Sequence, residues 1–63
     1  MLYIIKNNDT STKIFSNYSI RRDGEFIGSA ILTHDTNSIE VFKKHNINIS
    51  SKEYETIIKM IRQ

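Results

Sequence analysis

Two histidines are the residues of this 63-residue chain whose chemistry most readily suggests a metal or a general base. His34 and His45 stand eleven positions apart, and neither has a second ligand at the short spacing typical of a metal site. His34 precedes Asp35, and a carboxylate can orient an imidazole. Because adjacent strand residues point to opposite faces, the pair fits loop and turn roles better than a catalytic one.

The other ingredients of catalysis are missing. The chain has no Cys, its serines have no His in their sequence neighbourhood, and neither glycine precedes a helix start as a phosphate loop would. An enzyme also needs a pocket of roughly 300 Å³ or more, and so short a chain has few residues to spare for one. We therefore predict a protein that is not an enzyme and holds no metal or cofactor.

Two basic clusters with nearby aromatic residues are the remaining candidates. Arg21 and Arg22 form the first cluster, and Lys43 and Lys44 form the second. Basic residues among exposed aromatics on a sheet are typical of single-stranded nucleic-acid platforms, where bases stack on rings and Arg pairs with phosphates. The simpler alternative is that the basic residues lie at solvated ends of elements and the phenylalanines are buried.

Charge and composition limit the setting. Nine basic and seven acidic residues give a formal charge of +2, which is ordinary for a small domain. No run approaches the roughly 18 apolar residues of a membrane span, and no signal peptide is recognisable. Ile, Asn and Lys, with A/T-rich codons, fill 24 positions, which indicates a low-GC bacterium, its phages or plasmids. We expect a cytoplasmic protein without membrane contact.

A hairpin is the clearest structural signal. Asp23-Gly24 lies between two runs of strand character and predicts a type I′ turn, which needs positive φ at both central residues. A regular two-residue turn then divides the side chains between two faces. The predicted core face carries Tyr18, Ile20, Ile27 and Ile31; the other carries Phe15, Arg21, Phe26, Ala30 and Leu32, with Ser19 and Gly28 between them.

The C-terminal segment has the signals of a helix. Ser50 and Glu53 form a capping box, because each side chain can satisfy a backbone amide of the other. The residues that follow at helical spacing form one apolar stripe, namely Tyr54, Ile57, Ile58 and Ile61. We predict a helix over about 51–62.

Residues 37–45 fit either a helix or a strand. As a helix, Asn37 is the cap and Glu40 is the third helical residue; as a strand, Ile39 and Val41 alternate with Glu40 and Phe42. The caps and charges favour the helix. We therefore predict one α+β domain over 1–63. It has a small three-stranded antiparallel sheet (about 2–6, 13–22 and 25–33), four-stranded if 37–45 is a strand, with the C-terminal helix and a second short helix packed on one face.

These features favour a small non-enzymatic binding protein, encoded by a phage or plasmid, that docks on a larger host protein or complex and modulates or inhibits it. The alternative is a small nucleic-acid-binding module with a basic and aromatic sheet face. A homodimer is a further option, because so small a core gains from a buried interface. The candidate partner-binding residues are Phe15, Arg21, Arg22, Phe26, Leu32, Lys43 and Lys44.

Overall fold

One antiparallel sheet and one helix make up the computed structural model, which describes residues 1–63. The strands are β1 (Leu2–Lys6), β2 (Phe15–Arg22), β3 (Glu25–Thr33) and β4 (Ser38–Lys43), and the helix α1 spans Ser51–Arg62. The strands lie in the order β1-β2-β3-β4, so each pairs with its neighbour in the chain. The α+β class, the antiparallel sheet and the C-terminal helix are confirmed, and the sheet has four strands.

The second helix predicted within 37–45 is wrong, because this segment forms β4. Asn37 has a φ of 56° in the turn between β3 and β4, so it is a left-handed turn residue and not a helix cap. Ile39 and Val41 pack against the core, as the strand alternative required. The pairing partner is the preceding strand: β3 supplies the backbone hydrogen bonds of β4, which the cap-like pattern within 37–45 does not reveal.

The turn of the β2–β3 hairpin has the predicted geometry. Asp23 and Gly24 have φ values of 52° and 84°, as a type I′ turn requires. The first two pairs beyond the turn are the expected ones, Arg22 with Glu25 and Arg21 with Phe26.

A bulge then shifts the hairpin register by one residue. Ile20 lies opposite Gly28 rather than Ile27, and both Ile20 and Ile27 are fully buried. Because a slip of one residue exchanges the two faces of a strand, the predicted places of Ala30, Ile31 and Leu32 are wrong, and Ile31 lies on the face opposite the core. Ala30 is fully buried in the core, and Leu32 packs against it.

The reason for a small residue at the bulge is the close approach of β4. A Cβ on Gly28 would lie 2.3 Å from the carbonyl oxygen of Phe42, well inside van der Waals contact. Gly28 therefore lets the β4 backbone lie against β3 at the point where the register shifts.

The core lies between α1 and one face of the sheet. Seven of the 63 residues are buried, so the molecule depends on few apolar side chains. The buried apolar residues are Ile20, Ile27, Ala30, Ile57 and Ile61.

Polar contacts at both ends fasten α1 across the sheet. At its start, the Arg22 guanidinium donates to both carboxylate oxygens of Glu53 at 3.1 Å, and to the carbonyl of Asn48. At its end, Arg62 donates to the carbonyl of Asn37 at 2.9 Å. The helix thus runs from the hairpin end of the sheet to the β3–β4 turn.

Candidate interaction surface

The face of the sheet opposite α1 is the candidate interaction surface, and we call it the open face. No second helix covers it, and strand alternation assigns its residues. They are Tyr3, Ile5, Phe15, Asn17, Ser19, Arg21, Phe26, Ser29, Ile31, Thr33, Ser38, Glu40 and Phe42. Four large apolar side chains there remain substantially exposed: Tyr3 (40%), Ile5 (46%), Phe26 (40%) and Phe42 (48%).

A cation lies between two aromatic residues at the hairpin end of the open face. Arg21 pairs with Tyr3 on β1 and with Phe26 on β3, so the three form one row across the sheet. Arg21 donates to the carbonyl of Gly24 at 2.8 Å, which holds its guanidinium beside the turn. Arg21 has no ion-pair partner in the structure.

The next row has small residues at its centre and large ones at its ends. Ser19 and Ser29 pair on the two central strands, with Ile5 beside Ser19 on β1 and Phe42 beside Ser29 on β4. Ser19 also accepts a hydrogen bond from the Asn7 amide at 3.0 Å. This row is a shallow trough with apolar walls, and Ser29 occupies the central place that the regular register had given to Gly28.

The charge of the open face is balanced. Arg21 is its one cation and Glu40 its one anion, while its other polar residues are Ser, Thr, Asn and a Tyr hydroxyl. A surface of this kind offers apolar area and hydroxyl groups more than it offers an electric field.

The predicted partner-binding residues fall into separate groups. Phe15, Arg21 and Phe26 lie on the open face, as expected from the hairpin. Leu32 does not, since the bulge turns it to the core side. Arg22 lies on the helix side of the sheet, where Glu53 binds it.

The two basic clusters lie at the same end of the sheet. Lys43 pairs with Gly28, and the backbone N–H of Lys44 donates to the carbonyl of Ile27 at 2.8 Å. Both lysines are exposed. They lie at the C-terminal end of β4, and β3 separates them from Arg21 and Arg22 on β2. Strand pairing, rather than the helix that we predicted for 37–45, places both clusters at the hairpin end of the sheet, on β2 and β4 with β3 between them.

Sequence reasoning missed three of the four exposed apolar residues on the open face. Tyr3 and Ile5 belong to a run that is apolar from residue 2 to residue 5, so no alternation with polar residues distinguishes their face from the other. Phe42 was assigned to the predicted helix. Its alternation with Val41 and Ile39 was the signal that could have placed it on a strand face.

A serine and a histidine meet outside the open face. The hydroxyl of Ser16 lies 3.0 Å from Nε2 of His34, a contact that the sequence neighbourhood of the serines does not reveal. Ser16 is only 2% exposed, and the contact satisfies a hydroxyl that would otherwise be buried without a partner. The strand pair of Phe15 with Thr33 brings the two residues together, although they are distant in sequence.

Metal-binding groups, pockets, membrane-spanning helices and known relatives are the other features that could indicate a function. No His, Asp and Glu side chains gather in a group of three that could hold a metal, and no pocket opens on the surface. The one helix is too short and too polar to cross a membrane. No protein-family model, curated protein or solved structure matches this chain.

Proposed function

We propose that this chain is a small binding protein that docks through its open face on a larger protein and thereby modulates or inhibits it. The supporting observation is the group of four apolar side chains that are 40–48% exposed on one sheet face. Large apolar side chains that are exposed together on one face indicate an interaction site, whereas residues scattered singly over the surface do not. The abundance of Ile, Asn and Lys, whose codons are A/T-rich, supports a phage or plasmid gene and a host protein as the partner.

The relief and charge of the open face fit a protein partner. The trough of Ser19 and Ser29 can receive an apolar ridge, such as one face of an amphipathic helix. Aromatic anchors around such a trough are the residues that dominate protein interfaces. Because Arg21 and Glu40 balance each other, the face has no excess positive charge that would favour phosphates.

Affinity capture tests this proposal. We expect the tagged chain to retain a host protein from a nuclease-treated extract, and the variant Phe26→Ser with Phe42→Ser to lose it. The matched control is Ile14→Ser, which removes an apolar side chain that is 64% exposed and outside the open face. Equal capture by the double variant and the wild type would contradict the proposal.

Single-stranded nucleic acid is a second candidate ligand, supported by the basic end of the sheet. Arg21 lies between Tyr3 and Phe26, and Lys43 and Lys44 add positive charge at the C-terminal end of β4. Binding of a fluorescent oligo-dT or oligo-U should then weaken with salt, by a slope of about −0.7 per neutralised phosphate. Arg21→Glu with Lys44→Glu should abolish it; salt-independent or absent binding would exclude this candidate.

A further inference from the structure

The two charges of the open face lie on opposite sides of its centre. Ser29 pairs with Ser19 on β2 and with Phe42 on β4. Arg21 is two residues from Ser19 toward the hairpin turn, and Glu40 is two residues from Phe42 toward the opposite end. With strands ~4.8 Å apart and a rise of ~3.4 Å per residue, each charge is roughly 8 Å from Ser29, in opposite directions.

This arrangement is self-complementary under a two-fold rotation. The two-fold axis lies in the plane of the face, passes through Ser29 and is perpendicular to the line between the charges. Rotation about this axis sets Arg21 of each copy over Glu40 of the other. Phe26 and Phe42 both neighbour Ser29, on the same side of that line and on opposite sides of the axis. The rotation therefore brings Phe26 of each copy close to Phe42 of the other, as an isologous contact requires.

The area of the open face is large enough for a specific interface only if the partner covers all of it, as a second copy can. Four strands and about eight residues give a face of roughly 19 by 27 Å, or about 500 Å² before side-chain relief. A specific interface buries at least about 1,000 Å² in total, so the whole face has to be covered. A second open face is flat, has the same extent and packs on the first at a sheet spacing of ~10 Å.

Association would add buried apolar surface to a monomer whose core is small. With five buried apolar side chains, α1 covers one sheet face and leaves the aromatic residues of the other in water. Chains below about 70 residues commonly gain the missing stabilisation from disulfides, metals or association, and this chain has no Cys.

We infer that the free protein is a homodimer in which two open faces pack together, with Arg21 of each copy paired to Glu40 of the other. This inference rests on the proposed function only in using the same face. It adds that a larger partner has to displace the second copy, so binding of the two is mutually exclusive.

Sedimentation velocity over a dilution series tests the oligomeric state. We expect twice the 7.4 kDa chain mass, falling to the monomer mass on dilution. Wild-type protein that stays monomeric at every concentration overturns the homodimer and leaves docking on a larger protein standing. Capture from extracts that is insensitive to Phe26→Ser with Phe42→Ser overturns docking and leaves the homodimer standing.

Charge reversal tests the pairing itself. Arg21→Glu alone and Glu40→Arg alone each set like charges against each other twice, and should weaken the dimer by about a hundredfold or more. The double variant should restore it. A mixture of the two single variants should form a heterodimer, since one face then carries two acids and the other two bases.

Matched reversals on the exposed side of α1 provide the control. Glu55→Arg and Lys59→Glu change the same charges away from the open face and should leave dimer mass unchanged. Circular dichroism confirms that each variant is folded, and heterodimer formation confirms it again for the two single variants. A dimer that survives Arg21→Glu and Glu40→Arg, or a mixture that stays monomeric while both variants are folded, overturns the inference.

Discussion

Both faces of the sheet carry large apolar side chains, but these are buried on one face and exposed on the other. On the core side, Ile20 and Ile27 are fully buried beneath α1, and Ile57 of the helix is equally buried. On the open face, Phe26 and Phe42 keep 40% and 48% of their surface in water. The chain thus has apolar residues for two layers and one helix to cover them. The difference separates residues that hold the fold from residues available to a partner.

The side-chain hydrogen bonds also differ between the two faces. The helix side has contacts between distant segments, such as Arg22 with Glu53 and Arg62 with Asn37. The open face has Arg21 with Gly24 close by in the hairpin, and Asn7 with Ser19 across β1 and β2. Variants on the helix side should therefore lower stability, and variants on the open face should change association.

The largest difference should come from truncating one isoleucine on each side. Ile57→Ala should cost about 2–5 kcal/mol, because it leaves a cavity among fully buried side chains. A core of this size supplies only about 3–5 kcal/mol in net, so the variant should be largely unfolded. Ile5→Ala, on the open face, should leave the monomer folded. Urea unfolding at low protein concentration measures both, and equal losses would contradict the division.

A second test places alanine at each of two neighbouring positions of β3. Gly28→Ala forces a Cβ against the Phe42 carbonyl oxygen, so β4 has to move, at a cost of about 1–3 kcal/mol. Ser29→Ala, one position along and on the open face, is the matched control and should be close to neutral. A Gly28→Ala variant as stable as the wild type would mean that β4 does not approach β3 as described.

A smaller effect should depend on pH. The pKa of Glu53 lies below its usual value because its carboxylate accepts the Ser50 backbone N–H and then the Arg22 guanidinium. Its stabilisation is complete above its unfolded-state pKa of about 4.3 and is lost as the pH falls through the lower folded-state value. Glu53→Gln should lower the unfolding temperature at pH 7, and this difference should shrink on acidification.

The matched control for the pH test is Glu55→Gln on the exposed side of α1. It removes the same charge without touching Ser50 or Arg22, and its unfolding temperature should follow the wild type at every pH. If Glu53→Gln and Glu55→Gln behaved alike, the negative charge of Glu53 and its pairing with Arg22 would not stabilise the fold.

The smallest effect should come from a contact outside both faces. The N-terminal amine of Met1 pairs with the Asp23 carboxylate, which lowers the pKa of Asp23, but both groups are highly exposed. Because water and salt screen such pairs, Asp23→Asn should leave the unfolding temperature nearly unchanged, and Asn keeps the positive φ of the turn. A marked loss would show that the chain terminus stabilises the hairpin.

Local signals explain which parts of the fold were predictable. The Asp23-Gly24 turn and the Ser50–Glu53 capping box are each complete within four residues, so the sequence shows them directly. The bulge is different, since it depends on Gly28 meeting the backbone of Phe42, fourteen residues away. That single shift moved Leu32 to the core side.

The candidate surface was predictable to the same extent. Arg21 and Phe26 were placed correctly, because they lie between the turn and the bulge. Phe42 was missed, because Asn37 and Glu40 imitate a helix start and the competing β3 partner is not visible locally. The contact of Ser16 with His34 likewise arises only when two strands pair.

Site-specific photocrosslinking tests most directly the claim that one face holds the fold and the other binds. A benzophenone side chain in place of Phe42 lies on the open face, and one in place of Lys59 lies on the exposed side of α1. After irradiation in host extract, we expect products from position 42, with a larger protein or a second copy, and none from position 59. Products from position 59 alone would contradict the account.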